Sequence, residues 1–123
     1  MQIKLKISIL NDQGYQAIGP GPLRLLEKIG EHKSINKAAK AMKLSYVKAL
    51  KMLSFLEKDM GRAMVIRTRG GNDRGGTRLT PFAEKYIRHL RELEKKINQY
   101  AEREFYRFET RVNEFDTDEK QSG

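Results

Sequence analysis

Cationic side chains, rather than nucleophiles or acid–base pairs, are the residues whose types and spacing could do chemistry in this chain. Between positions 33 and 78 stand Lys33, Lys37, Lys48, Lys51, Arg67, Arg69, Arg74 and Arg78, interleaved with Ser34, Asn36, Ser45, Tyr46 and Met52. Each ammonium or guanidinium that neutralises a phosphate releases condensed counterions, so such a cluster suits a polyanion. The distribution of charge sharpens the point. Residues 28–78 carry 13 positive and 4 negative side chains, against 3 and 2 before them and 9 and 10 after, in a chain of net charge +9. The excess sits on one short segment, which is the electrostatic footprint of a nucleic-acid-binding surface.

Other chemistries are poorly served. Cysteine is absent and His32 and His89 are the only histidines, which removes disulfides, thiolate metal sites and a histidine-based catalytic set. No nucleophile, base and orienting group are grouped along the sequence, so no enzyme activity, cofactor or metal is expected. The glycine-rich RGGNDRGG run lacks the Lys-Ser or Lys-Thr pair that a phosphate-cradling P-loop requires.

The elements that must position the cations follow from capping and periodicity. Ser34 stands before INKAAKAM as an N-cap, with Ile35, Ala38, Ala39 and Met42 on one helical face. After a break at KLS, Ser45 caps a second helix running to Gly61, with Val47, Ala49, Leu50, Leu53, Leu56 and Met60 available for packing. Two helices joined in this way predict a helix-turn-helix. Tyr46, Lys48, Lys51 and Met52 would then face away from the core at the start of the second helix, where base edges are read in the major groove. Lys33, Ser34, Asn36 and Lys37 open the first helix, where free N–H groups favour a phosphate. Two short apolar runs, AMVIRT and TRLT, flank the glycine-rich stretch and predict a hairpin wing. Arg67, Arg69, Arg74 and Arg78 decorate it, and Gly70, Gly71, Gly75 and Gly76 would let its backbone approach a phosphate or enter the minor groove.

The flanks supply the core and a partner surface. Ile3, Leu5, Ile7 and Ile9 alternate with polar residues, and NDQG with Tyr15 to Ile18 predicts a returning strand, hence an N-terminal β-hairpin. GPGP interrupts, and a helix with Leu23, Leu25, Leu26 and Ile29 follows, ended by Gly30 as a left-handed cap. Thr80-Pro81 opens a long helix without a breaker until near residue 112. Leu90, Leu93, Ile97, Tyr100, Ala101, Phe105 and Phe108 form a stripe on it that so small a domain cannot cover, which predicts a homodimer interface. The fold class is thus mainly α with a small β component: a winged helix-turn-helix preceded by a β-hairpin and followed by a long C-terminal dimerisation helix. Its parts are a DNA-binding domain over 1–80, the dimerisation helix over 81–113 and a polar flexible tail over 114–123. Apolar residues make up 38% of the chain, no stretch is long enough to span a membrane, and the first residues do not read as a leader, so a cytoplasmic location is expected.

SINKAAKAMKLSYVKALKMLSFLEKDMG followed by VIRTRGGNDRGGTRLTPFAEKYI resembles the N-terminal winged-helix domain of ModE-type molybdenum regulators, and more distantly the LysR-type DNA-binding domain. The resemblance runs over roughly residues 17 to 100. It implies a homodimeric transcription regulator whose helix from Ser45 and whose wing contact duplex DNA. Several positions depart from the family pattern. Lys33 lies where glycine is common, Leu50 where a larger aromatic is common, and Asn72, Asp73 and Arg74 interrupt the wing glycines. No position matches a molybdate ligand, so no molybdate site is expected in this chain. The function that follows is sequence-specific DNA-binding transcriptional regulation, with a non-specific architectural DNA-binding protein or a protein-interaction adaptor as the alternatives.

Overall fold

Four helices and a two-stranded sheet follow one another in the computed structural model, which describes residues 1–16, 18–68 and 76–122, the side chains to residue 117. They are α1 (Pro20–His32), α2 (Ile35–Ala41), α3 (Tyr46–Met60), β1 (Val65–Arg67), β2 (Thr77–Leu79) and α4 (Pro81–Ser122). Contacts divide the chain into one unit of Ser8–His89 and another of Met1–Ile7 with Leu90–Gly123.

In the Ser8–His89 unit, α1 begins at Pro20, three residues before the apolar pattern. Prolines are tolerated there because the first turn's N–H groups have no intrahelical acceptor. The helix buries Leu23, Leu25, Leu26 and Ile29. Gly30 does not end it, contrary to the sequence expectation: α1 continues to His32, and Lys33 takes the left-handed cap at φ 57°, its N–H bonded to the Ile29 carbonyl. The glycine serves packing instead. A Cβ on Gly30 would stand 2.9 Å from Cδ1 of Leu79, so a larger residue here would have to push that side-chain methyl aside.

Both helices of the bihelical unit start as their caps predict. Ser34 Oγ accepts the Lys37 N–H and Ser45 Oγ accepts the Lys48 N–H, each at 3.1 Å. Between them α2 closes with paired hydrogen bonds, Leu44 N–H to the Ala39 carbonyl and Lys43 N–H to the Lys40 carbonyl, with Lys43 left-handed at φ 58°. This is the Schellman arrangement, here without its usual glycine. The core beneath is formed by Leu25, Leu26, Ile29, Ala38, Leu53 and Met64, none more than 1% exposed. Complete burial of these aliphatic side chains stabilises the unit by about 1.5–3 kcal/mol for each large one.

After Gly61, which takes a left-handed cap at φ 64°, a carboxylate oxygen of Glu57 accepts the Met64 N–H at 2.8 Å and sets the chain toward β1. The strands pair antiparallel, Val65 with Leu79, Ile66 with Arg78 and Arg67 with Thr77. Thr80 then joins the sheet to α4, since its hydroxyl donates to the Ala63 carbonyl and accepts the Ala83 N–H.

Two expectations at the flanks are corrected. The N-terminal β-hairpin does not form: the NDQG turn is present, with Asn11 Oδ1 accepting the Gln13 and Tyr15 N–H groups, but only an isolated bridge joins Leu10 to Gln16. Ile3 and Leu5 remain 41% and 40% exposed, and a lone two-stranded ribbon without a covered apolar face is not stable in water. Ala17 lies outside the described residues. At the other end, α4 continues past residue 113 to Ser122 rather than ending in an irregular tail, because no glycine or proline interrupts residues 82–122.

Candidate nucleic-acid interface

The second helix of the bihelical unit carries its polarity on opposite sides. Ala49, Leu53 and Leu56 point into the core. At 100° per residue, Val47, Lys51 and Lys58 lie on the side directly opposite them, with Lys48 and Phe55 close by. All five are exposed, Val47 at 60% and Phe55 at 69%. This solvent side is a shallow apolar cleft of about 300 Å³ lined by Val47, Leu50, Lys51, Ser54, Phe55 and Lys58. A helix held by one side only, with methyl groups and ammonium groups on the other, can donate to base edges and cover thymine methyls.

Most of the residues expected at the interface are exposed, and they divide into three groups. Tyr46, Lys48 and Lys51 are exposed on the first two turns of α3. Lys33, Asn36 and Lys37 are exposed at the start of α2. Arg67 and Arg78 are exposed on β1 and β2. Ser34 and Ser45 spend an oxygen lone pair on their caps, which leaves each O–H hydrogen able to reach a phosphate. Arg69, Arg74, Gly70, Gly71 and Gly75 lie outside the described residues.

Two residues differ from expectation. Met52 is half-buried, its Cε 3.3 Å from where a Cβ on Gly21 would stand, so it packs on the start of α1 instead of facing outward. Val47, assigned to packing by its hydrophobicity, is on the solvent side. Helical angle could have placed it there once Ala49 and Leu53 were recognised as the core positions. Phe55 was missed for the same reason.

The wing is tied at both ends. The Thr68 hydroxyl donates to the Gly76 carbonyl at 3.0 Å and accepts the Gly76 N–H at 2.9 Å, while the Thr68 N–H bonds to the same carbonyl. Thr77 N–H in turn bonds to the Lys33 carbonyl at 3.0 Å, which links the sheet to the α1–α2 corner. Hydroxyl and main-chain bonds thus hold Thr68 and Gly76 together beside the ends of β1 and β2.

In the unit formed with Leu90–Gly123, the stripe of α4 is mixed in exposure. Leu90 is buried within the chain and so is not free to meet a partner. Leu93, Tyr100 and Phe108 are 44%, 59% and 58% exposed, while Ile97, Ala101 and Phe105 are half-buried. Phe105 and Phe108 stack with ring centroids 6.0 Å apart. Among the described residues no group of three or more His, Asp or Glu side chains is placed to hold a metal ion, and no helix is long and apolar enough to cross a membrane.

Residues 21–84, from the first turn of α1 to the first turn of α4, match the family model described as the bacterial regulatory helix-turn-helix protein, lysR family. The chain belongs to that family. The matched span contains the whole bihelical unit and the wing, so the lysR-family assignment rests on the elements that carry the exposed cations. Among curated proteins, the transcriptional regulator ModE of Haemophilus influenzae is 38% identical over 84 residues, covering 68% of this chain and 32% of that protein. The molybdenum transport protein ModE of Azotobacter vinelandii is 35% identical over 89 residues, covering 72% of this chain and 33% of that protein. The chain therefore spans about a third of the length of these relatives. Among solved structures, a CbnR DBD–DNA complex superposes with a TM-score of 0.55 at 20% identity, covering 70% of this chain and 93% of that one. A BenM DBD in complex with benA site 1 DNA superposes with a TM-score of 0.51 at 19% identity, over 68% of this chain and 89% of that one. At these identities the likeness concerns the fold, and it agrees with a lysR-type winged helix-turn-helix.

Proposed function

We propose that this chain is a sequence-specific DNA-binding regulator of transcription that acts as a homodimer in the cytoplasm. The observation that carries the proposal is the solvent side of α3, where Val47, Lys48 and Lys51 stand exposed opposite a buried Ala49–Leu53–Leu56 side in a lysR-family helix-turn-helix. Lys48 and Lys51 donate to guanine O6 and N7, and Tyr46 meets a base edge or a phosphate. Lys33 and Lys37 take phosphates beside α2, and Arg67 and Arg78 take them from the wing, which sets position on the duplex without specifying sequence. Residues 1–80 form the DNA-binding part, and the α4 stripe from Leu93 to Phe108 pairs two protomers. The names of the ModE relatives and the DNA in the related complexes support this assignment. Molybdate is assigned no residue here.

Fluorescence anisotropy with a mixed-sequence duplex at increasing salt tests the proposal. Binding that weakens steeply with salt is expected, and no binding at low salt overturns it. Selection from random-sequence duplexes should then enrich one motif, whereas failure to enrich any identifies an architectural binder. Lys48→Glu combined with Arg67→Glu should abolish duplex binding, and unchanged affinity identifies a protein-interaction adaptor.

A further inference from the structure

Two residues other than glycine adopt positive φ among the described residues, and both are lysines: Lys33 at 57° and Lys43 at 58°. A left-handed backbone crowds the Cβ of any L-residue other than glycine, and asparagine is the usual second choice. Lysine has no short polar group to bond back to its own main chain, so its side chain does not offset the strain locally. The main-chain bonds at both places would form equally well with glycine. Lys33 uses its N–H to cap α1 and its carbonyl to hold Thr77, and Lys43 uses its N–H to close α2. The side chains must therefore have another reason to be there.

Their surroundings narrow that reason. Both lysines are exposed, and neither is ion-paired among the described residues. They stand just beyond the two ends of α2, Lys33 immediately before the cap Ser34 and Lys43 two residues before the cap Ser45 of α3. The seven residues of α2 span about 10 Å at 1.5 Å per residue, comparable with the roughly 12 Å width of the DNA major groove.

Resting on the DNA-binding function proposed above, we propose that Lys43 is a second phosphate-binding residue, paired with Lys33 across α2, and that the strained backbone at both positions is retained for the two ammonium groups. Lys43 thereby joins the interface through the turn of the helix-turn-helix. The rival explanation is that each lysine only serves the negative end of the helix it follows.

Substitution separates the two. Gln keeps the Cβ strain and removes the charge, and Gly removes both. With the full chain and a mixed-sequence duplex, Lys43→Gln and Lys43→Gly should each weaken binding about five-fold near physiological salt and lower the salt slope by about one. The corresponding Lys33 variants should do the same. Lys43→Gly should also raise the melting temperature by about 3 °C, and Lys43→Gln should leave it unchanged. Wild-type affinity and salt slope in Lys43→Gln, with a lowered melting temperature, overturn the inference in favour of the helix-end role and leave the DNA-binding function standing. Absence of duplex binding by the unaltered chain overturns both.

Discussion

The main-chain carbonyl of Lys33, at the end of α1, accepts the Thr77 N–H of β2 at 3.0 Å. The helix-turn-helix and the wing thus share a hydrogen bond at the residue where α1 turns into α2. One turn earlier, Gly30 admits Leu79 against the same helix. These two contacts explain how a sheet of three-residue strands is held against α1, beside the bihelical unit, and they make the first prediction.

Gly30→Ala puts a Cβ 2.9 Å from Leu79 Cδ1. Alanine in a helix interior gains up to about 1 kcal/mol over glycine, but overpacking costs about 1–3 kcal/mol. A net loss of about 1 kcal/mol is expected in urea unfolding. A more stable variant would show that Leu79 can withdraw freely.

Thr68→Val removes the hydroxyl that bonds twice to Gly76, at a site open to water. Stability should fall by no more than about 1 kcal/mol, the usual net value of such bonds. Duplex affinity should fall several-fold in anisotropy titrations, because Arg67, next to Thr68, is then less firmly placed. Thr68→Ser should restore it, and equal affinity for the Val and Ser variants would remove Thr68 from any positioning role.

Val47 is 60% exposed, so Val47→Ala should change stability by less than about 0.5 kcal/mol. If its methyl groups cover a thymine methyl, random-sequence selection with the variant should relax preference at one base position by about 1 kcal/mol while the rest of the motif persists. An unchanged motif excludes Val47 from base readout.

Burial raises the Tyr86 phenol above its usual value of 10.0, beside Phe82 at a ring-centroid distance of 6.0 Å. The folded state holds this proton more tightly than the unfolded state. The associated stability is fully present below the unfolded value and is lost as pH rises through the folded one. Tyr86→Phe, which has no proton to lose, should therefore show a shallower decline in urea midpoint above about pH 10 than the unaltered chain. Parallel declines would contradict this.

Leu93→Glu with Phe108→Glu places two charges on exposed positions of the α4 stripe, 44% and 58% exposed in the single chain. Folding within one chain should survive, since neither side chain is in its core. Light scattering should report a dimer for the unaltered chain and a monomer for the variant. A dimeric variant would move the pairing surface elsewhere.

Local chemistry was legible in the residues, and distant packing was not. Ser34, Ser45 and Thr80 each declared a helix start, because a hydroxyl that satisfies an N–H two or three residues on needs nothing from the rest of the fold. Gly30 was misread as a terminator because its actual purpose depends on Leu79, 49 positions later, which no local pattern reveals. The left-handed backbone at Lys43 was hidden in the same way, since lysine carries no signal for it, whereas at Lys33 the one hint was that glycine is common at that place. The alternation of Ile3, Leu5, Ile7 and Ile9 suggested a strand, but alternation supplies a face without supplying a neighbour to pair with. For the candidate interface, charge and capping placed the cations on the right elements, whereas the outward orientation of Val47 and the inward packing of Met52 needed the assembled core.

A single oxygen atom, Oγ1 of Thr80, is bonded both to the strand approach at Ala63 and to the opening turn of α4 at Ala83. The entry of the long helix and the root of the wing consequently share a pivot. Twisting the first turn of α4 about its axis would strain that pivot at once, and the Thr80 N–H bond to the Met64 carbonyl and the Arg62 guanidinium over the Phe82 ring would carry the same leverage to the approach of β1.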